Sequence, residues 1–230
     1  MDLYNNTKIT SQEIYDYYNG FIFSDNNVVF NKMVKKIELY NEIKELVGDI
    51  VEFGVFKGSG IALWLKLKEL NEPYSITRIL GFDFFEPTTL LDKLENNNKE
   101  MMATILNRVD HDDLTLNNVT NKLKSFNKEN YLLIKGDAVE ECYKYYNKNL
   151  GARIKLLYMD LDLGDPTYEI LKILWDKVVI NGIIVFDEYG YHKWDESNGV
   201  DMFLKEISGK YELYNTKLYA PSMYIKKIMF

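Results

Sequence analysis

Five short apolar runs in this chain each end on a glycine or an acid, and helical patterns separate them. The runs are residues 49–53, 79–83, 131–137, 154–160 and 178–187. They close on Gly54, Asp83, Gly136-Asp137, Asp160 and Asp187. Between them, apolar side chains recur at three- and four-residue steps, as in Phe30, Met33, Val34, Ile37, Tyr40 and Ile43. Residues 61–70, 138–147, 167–175 and 200–207 read as further helices, the first of them apolar nearly all round. Strands alternating with helices specify a mostly parallel sheet with helices on both faces. Two last strands, 211–218 and 223–229, are joined near Pro221 and predict an antiparallel hairpin at the sheet edge. The expected fold is α/β, doubly wound, with seven strands.

The 230 residues suffice for one such domain, and neither a repeat nor a low-complexity linker divides them. Residues 1–45 form an N-terminal arm and helices. The first 27 are polar and rich in Asn, Asp and Tyr, which suits an arm or a short helical lid. Residues 86–130 are a long, polar, partly helical connection, expected to be a lid and acceptor-binding insertion. The net charge of −7 argues against a general nucleic-acid binder, which needs clustered Lys and Arg. The one cysteine, Cys142, can form neither an internal disulfide nor a thiolate metal site alone and reads as a buried or half-buried helix residue. Residues 1–10 are polar, unlike a signal peptide, and no stretch reaches the ~18 apolar residues of a membrane span. The expectation is a cytoplasmic protein with no membrane partner.

The first motif that carries chemistry is Val51-Glu52-Phe53-Gly54-Val55-Phe56-Lys57-Gly58-Ser59-Gly60. A strand ends, glycines make a tight turn and a helix begins. Glycine lets the backbone approach a ligand, and the free N–H groups at the helix start face a carboxylate or phosphate. A dinucleotide fingerprint is spaced G-x-G-x-x-G. Here the spacing is acid-x-G-x-x-x-G-x-G, which resembles motif I of the class I methyltransferases, a Rossmann-like family. That resemblance implies S-adenosylmethionine as cofactor, with its amino-acid end on the turn. Asp83, 31 residues after Glu52, can accept both hydroxyls of a ribose. An acid at Gly136-Asp137 falls where such enzymes often contact the adenine, although Asp137 would also serve as a helix N-cap. The expected cofactor residues are Glu52, Gly54, Val55, Phe56, Gly58, Ser59, Gly60, Asp83, Phe84, Gly136, Asp137 and Asp160.

The second constellation is acidic. Tyr158-Met159-Asp160-Leu161-Asp162 and Val185-Phe186-Asp187-Glu188-Tyr189-Gly190 end two strands, with room between them for one crossover helix. Neighbouring parallel strands lie ~4.8 Å apart, so these carboxylates meet. Like charges so close repel unless a cation or shared protons offset them. An all-oxygen donor set suits Mg²⁺, Mn²⁺ or Ca²⁺.

Met159-Asp160-Leu161-Asp162-Leu163 with Pro166-Thr167, then Asn181-Gly182 through Gly190, resembles the macrocin O-methyltransferase family of metal-dependent sugar O-methyltransferases. Val51–Val55 with Gly58, and Gly199-Val200-Asp201-Met202-Phe203, extend the likeness over about residues 49–203. The resemblance implies Asp160, Asp187 and Glu188 as ligands of a divalent cation, expected to be Mg²⁺. It implies Asp162 as the base and a sugar-type small molecule as acceptor. Two departures stand out. Glu188 replaces the family's usual second Asp and reaches one methylene further. Gly164-Asp165 replaces an aromatic-acidic pair on the acceptor side. Enzymes of this type often pair through N-terminal and lid segments, so a homo-oligomer remains an option.

His192, two residues past the turn at Gly190, is a second candidate base beside Asp160 and Asp162. His111 carries no assigned role. Tyr15, Tyr17 and Tyr18 could stack on a ligand or pack on a neighbouring subunit. Rival readings are a metal-independent methyltransferase, a Rossmann-like protein that binds another nucleotide such as NAD, and a non-catalytic scaffold.

Overall fold

The computed structural model describes residues 10–191 and 195–229. Seven strands form one sheet: β1 (Asp49–Phe53), β2 (Ile79–Asp83), β3 (Tyr131–Lys135), β4 (Ile154–Met159), β5 (Val178–Phe186), β6 (Tyr211–Asn215) and β7 (Met223–Lys227). Their order is β3-β2-β1-β4-β5-β7-β6. The first five are parallel, and β7 is antiparallel to both β5 and β6. The doubly wound sheet with its C-terminal edge hairpin is therefore as the sequence specifies. β1, β4 and the end of β5 are buried on both sides, which is why they read as continuous apolar runs.

Nine helices flank the sheet among the described residues: α1 (Ser11–Ile22), α2 (Asn27–Ile43), α3 (Ser59–Asn71), α4 (Pro87–Lys93), α5 (Asn96–Leu106), α6 (Leu116–Lys122), α7 (Ala138–Lys148), α8 (Gly164–Leu174) and α9 (Glu196–Glu206). One face of the sheet packs on α2 and α3 through Leu39, Tyr40, Ile43, Ile61, Trp64 and Leu65. The other packs on α7, α8 and α9 through Cys142, Tyr146, Ile170, Leu171, Val200 and Phe203. Burying a Leu, Ile or Phe side chain stabilises by roughly 1.5–3 kcal/mol each, so these two layers hold the fold. Cys142 is a buried free thiol on α7.

Residues 86–130 resolve into α4, α5, a short 3₁₀ turn (His111–Leu114) and α6. Met102, Leu106, Leu114 and Leu163 make a third, smaller apolar cluster there, which ties this insertion to the segment after β4. The N-terminal segment contains α1, which opens on a capping box between Thr10 and Glu13 and buries none of its residues. No helix among the described residues is long and apolar enough to cross a membrane.

Candidate active site

The strand order reverses between β1 and β4, and ligands of open α/β sheets sit at such a point, beyond the carboxyl ends of the strands. The register sets those ends in one row. Phe53 pairs with Phe82 and with Met159, and Met159 pairs with Phe186. The ladder then runs one residue further: Gly54 N–H donates to Phe82, Asp160 N–H to Phe53, and Asp187 N–H to Met159. Gly54, Asp83, Asp160 and Asp187 thus stand side by side at the top of the sheet. At Gly54 φ is +85°, and a Cβ there would lie 1.9 Å from the Asp160 carbonyl oxygen. Only glycine lets the two strand ends come so close.

A cavity of about 300 Å³ opens over this row. Gly54, Phe56, Asp83, Phe84, Asp137, Asp160 and Asp162 line it, and Pro87, Leu90, Met102, Ile105, Leu106 and Leu114 roof it from the insertion. Asp83 is held by two backbone donors, Phe56 N–H on Oδ2 and Phe85 N–H on Oδ1, each at 2.9 Å. Burial pushes its carboxyl above the usual range against the pull of those N–H groups. Its orientation is fixed at the cavity wall. Asp137 caps α7 through the N–H groups of Val139 and Glu140, pairs with Lys93 on α4 at 3.0 Å, and also lines the cavity. Its cap and cavity positions coexist. Gly136 precedes it with φ +142°.

The remaining turn residues stand differently. Glu52 is buried and accepts from Lys36 Nζ of α2 at 2.9 Å and from Trp64 Nε1 of α3 at 2.6 Å. It anchors two helices beneath the turn and does not line the cavity. Val55 is in the core below, Phe56 takes φ +51°, and Gly58, Ser59 and Gly60 open α3 outside the cavity lining.

Asp160, Asp162, Asp187 and Glu188 lie near one another beyond the ends of β4 and β5, close enough to act on one another electrostatically. Lys32 of α2, which the sequence did not single out, reaches between two of them. Its Nζ donates to Asp160 Oδ2 at 2.8 Å and to Asp187 Oδ2 at 2.7 Å. The two carboxylates raise its pKa above the ordinary lysine value although burial opposes them. Tyr158 OH donates to the other oxygen of Asp187. Asp162 turns back sharply, with φ +61°. Burial, then the charges of Asp160, Glu188 and Asp187, push its carboxyl up to about 8. Burial and neighbouring acids also raise Glu188 to about 7 and Asp187 to about 6. His192 lies outside the described residues.

As they stand, no three acids or imidazoles among the described residues converge on one coordination point. The chemistry of the donors fits a divalent cation nonetheless. They are all oxygen, one lysine cannot balance four carboxylates, and Glu188 Oε2 is buried without a partner among the described residues. The residues that would hold a cation are Asp160, Asp187 and Glu188, the first two of which now pair with Lys32. The cavity fits S-adenosylmethionine as well, having a backbone turn, a fixed strand-end acid and an apolar roof.

A glycine turn after β1, an acid ending β2 and a seven-stranded sheet with an antiparallel last hairpin define a class I, S-adenosylmethionine-dependent methyltransferase. Residues 28–209 match the family described as Macrocin-O-methyltransferase (TylF), and the chain belongs to that family. Among solved structures it is similar to CalS11, a TDP-rhamnose 3'-O-methyltransferase of calicheamicin biosynthesis. The identity is 24%, the TM-score 0.66, and 98% of this chain and 90% of that one are covered. It is also similar to the O-methyltransferase NovP, at 17% identity and TM-score 0.67, over 86% of this chain and 79% of that one. A Streptococcus mutans protein solved in complex with SAH shares the fold at 16% identity and TM-score 0.53, over 86% of this chain and 98% of that one. Among curated proteins nothing matches the chain.

Proposed function

We propose that this chain methylates a hydroxyl of a sugar or sugar-containing small molecule with the help of a divalent cation, Mg²⁺ by its donor set. One observation carries the reading: the cavity below the insertion and the carboxylate cluster share a wall, made of Asp160 and Asp162. A cofactor seated on Gly54 and Asp83 and an acceptor seated at the cluster would therefore face each other. Membership of the macrocin O-methyltransferase family supports the sugar-type acceptor.

When bound, the cofactor would supply an electrophilic methyl group, and the cation a Lewis acid that eases deprotonation of an acceptor hydroxyl. The chain does the rest. Gly54, Asp83 and Asp137 fix the cofactor, with Phe84 and the apolar roof excluding water. Asp160, Asp187 and Glu188 would hold the cation, while Asp160 and Asp162, on the wall that the cavity shares with the cluster, orient the acceptor toward the methyl group; positioning of this kind can supply several kcal/mol. Asp162 takes the hydroxyl proton. It stands on the wall that the cavity shares with the cluster, within reach of an acceptor seated there.

Calorimetric titration with S-adenosylhomocysteine tests the cofactor half. Asp83→Ala is expected to weaken binding by about tenfold or more, since it removes hydrogen bonds to a charged acceptor. No binding by the native protein sinks the reading. For the chemistry, Asp162→Asn should slow transfer to a nucleotide-sugar acceptor by about 100-fold or more, with the S-adenosylhomocysteine affinity kept. Lys32 between Asp160 and Asp187 favours a second reading, in which the ammonium itself serves the cluster and no metal is needed. Activity that survives chelation selects that second reading.

A further inference from the structure

Glu196, the first residue of α9, is fully buried, with 0% of its surface exposed. Neither carboxylate oxygen has a hydrogen-bond partner among the described residues. Several other buried charges here are matched: Lys36 with Glu52, Lys155 with Glu72, and Asp187 with Lys32 and Tyr158. Burial, then the neighbouring acids, hold the Glu196 carboxyl well above the ordinary range, and even a neutral carboxyl costs free energy when it is buried with neither oxygen bonded. Methionine would fill much the same space without that cost.

The surroundings show what Glu196 faces. Asp160, Asp162, Asp187 and Glu188 are near enough to act on it electrostatically, and its neighbour Asp195 packs on Gly164, where a Cβ would lie 2.7 Å from the Asp195 carbonyl oxygen. Its position is fixed by packing. α9 crosses α8 at Gly199 and Gly164, where a Cβ on Gly199 would lie 2.0 Å from the Gly164 carbonyl oxygen. Gly164 directly follows Leu163, at the end of the loop that carries Asp160 and Asp162. The start of α9 is therefore pressed against that loop. The positive end of a helix favours an acid in its first turn, but such an acid is ordinarily exposed or bonded to backbone N–H groups, and Glu196 is neither.

We propose that Glu196 belongs to the divalent-cation site, a fifth carboxylate brought from α9 that holds the cation directly or through one water. The proposal rests on the cation reading above and extends it past Asp160, Asp187 and Glu188. It accounts for an acid kept in an interior position. It also accounts for how a divalent cation displaces Lys32, because each added carboxylate favours a doubly charged ion over an ammonium. Glu196 acts on the cation and not on the acceptor, which makes it a positioning residue.

The test is calorimetric titration of Mn²⁺ into the protein saturated with S-adenosylhomocysteine, for the native chain, Glu196→Gln and Glu196→Asp, with the spin-resonance spectrum of bound Mn²⁺ recorded for each. Glu196→Gln is expected to weaken Mn²⁺ by about tenfold or more, in the range seen when groups supporting a metal are removed, while S-adenosylhomocysteine binding stays unchanged. Glu196→Asp keeps the charge and should recover part of the affinity with an altered spectrum. If Glu196→Gln binds Mn²⁺ as the native chain does, this proposal falls and the cation reading stands. If the native chain binds S-adenosylhomocysteine but no Mn²⁺, both fall and the methyltransferase reading stands. Should Glu196→Gln fail to fold, Glu196→Asp decides alone, and native affinity together with a native spectrum overturns the proposal.

Discussion

Lys32 shows how one side chain can mask a site. Its ammonium bridges Asp160 and Asp187 from a helix more than 120 positions earlier in the chain. Asp187 is almost wholly buried, whereas Lys32 keeps 30% of its side chain exposed. Removing one partner of a fully buried pair costs about 3–5 kcal/mol, and the exposure of Lys32 reduces this to about 2–3 kcal/mol. Lys32→Met should therefore lower the stability of the chelator-treated protein by that amount in urea denaturation. It should also tighten Mn²⁺ binding, because a competitor for the same two oxygens is gone. Weaker Mn²⁺ binding in Lys32→Met would place Lys32 among the groups that help the cation. The acids of this site were legible in the sequence because each ends a buried strand, where an apolar run gives way to a charge. Lys32 and Glu196 were not. Both sit in helices, and nothing local in a helix tells which polar residue is aimed at a distant strand end.

The same contrast holds for whole elements. β1 through β5 read clearly because parallel strands covered on both sides leave unbroken apolar runs. α9 was expected over residues 200–207 and in fact spans Glu196–Glu206. Its first turn, Glu196-Ser197-Asn198-Gly199, is polar, and the apolar stripe that signals a helix begins only at Val200. That hidden turn is what carries Glu196. At the other face, α2 and α3 are locked to the sheet by Glu52, which the motif suggests as a cofactor contact. Its partners Lys36 and Trp64 were invisible because each is an ordinary residue on its own helix. The structure gives Glu52 a supporting task. Glu52→Gln leaves Lys36 buried without its counter-charge, so it should cost about 3 kcal/mol or more. Thermal and urea denaturation should register this clearly, while the affinity for S-adenosylhomocysteine changes little. A variant of native stability that no longer binds S-adenosylhomocysteine would return Glu52 to the cofactor.

Across the whole molecule, the two helical layers send opposite charges to one row of strand ends. α2 delivers Lys32 from one face, α9 delivers Glu196 from the other, and β4 and β5 contribute the acids between them. The acids are raised by burial and by one another: Asp162 to about 8, Glu188 to about 7 and Asp187 to about 6. In the unfolded chain such groups ionise near pH ~4. Between pH ~4 and ~8 the folded protein therefore holds more protons than the unfolded one, and its stability must fall as pH rises. The stabilising contribution is complete below the unfolded values and is lost as each folded value is passed. Asp137, Asp113 and Glu72, lowered by lysine partners, act in the opposite sense and lose their contribution as pH falls below the usual carboxylate range. Without a divalent cation the melting temperature should thus peak on the acid side of neutrality and decline toward pH 8. Mg²⁺ binds the ionised cluster, so it should raise the melting temperature more at pH 8 than at pH 6. Thermal denaturation of chelator-treated protein across this range, with and without Mg²⁺, checks both slopes. Asp162→Asn supplies the internal control, because it removes the highest of the three titrations and should flatten the decline. A melting temperature that rises from pH 6 to pH 8 without cation would mean that Lys32 already neutralises the cluster. The site would then be complete with its own ammonium.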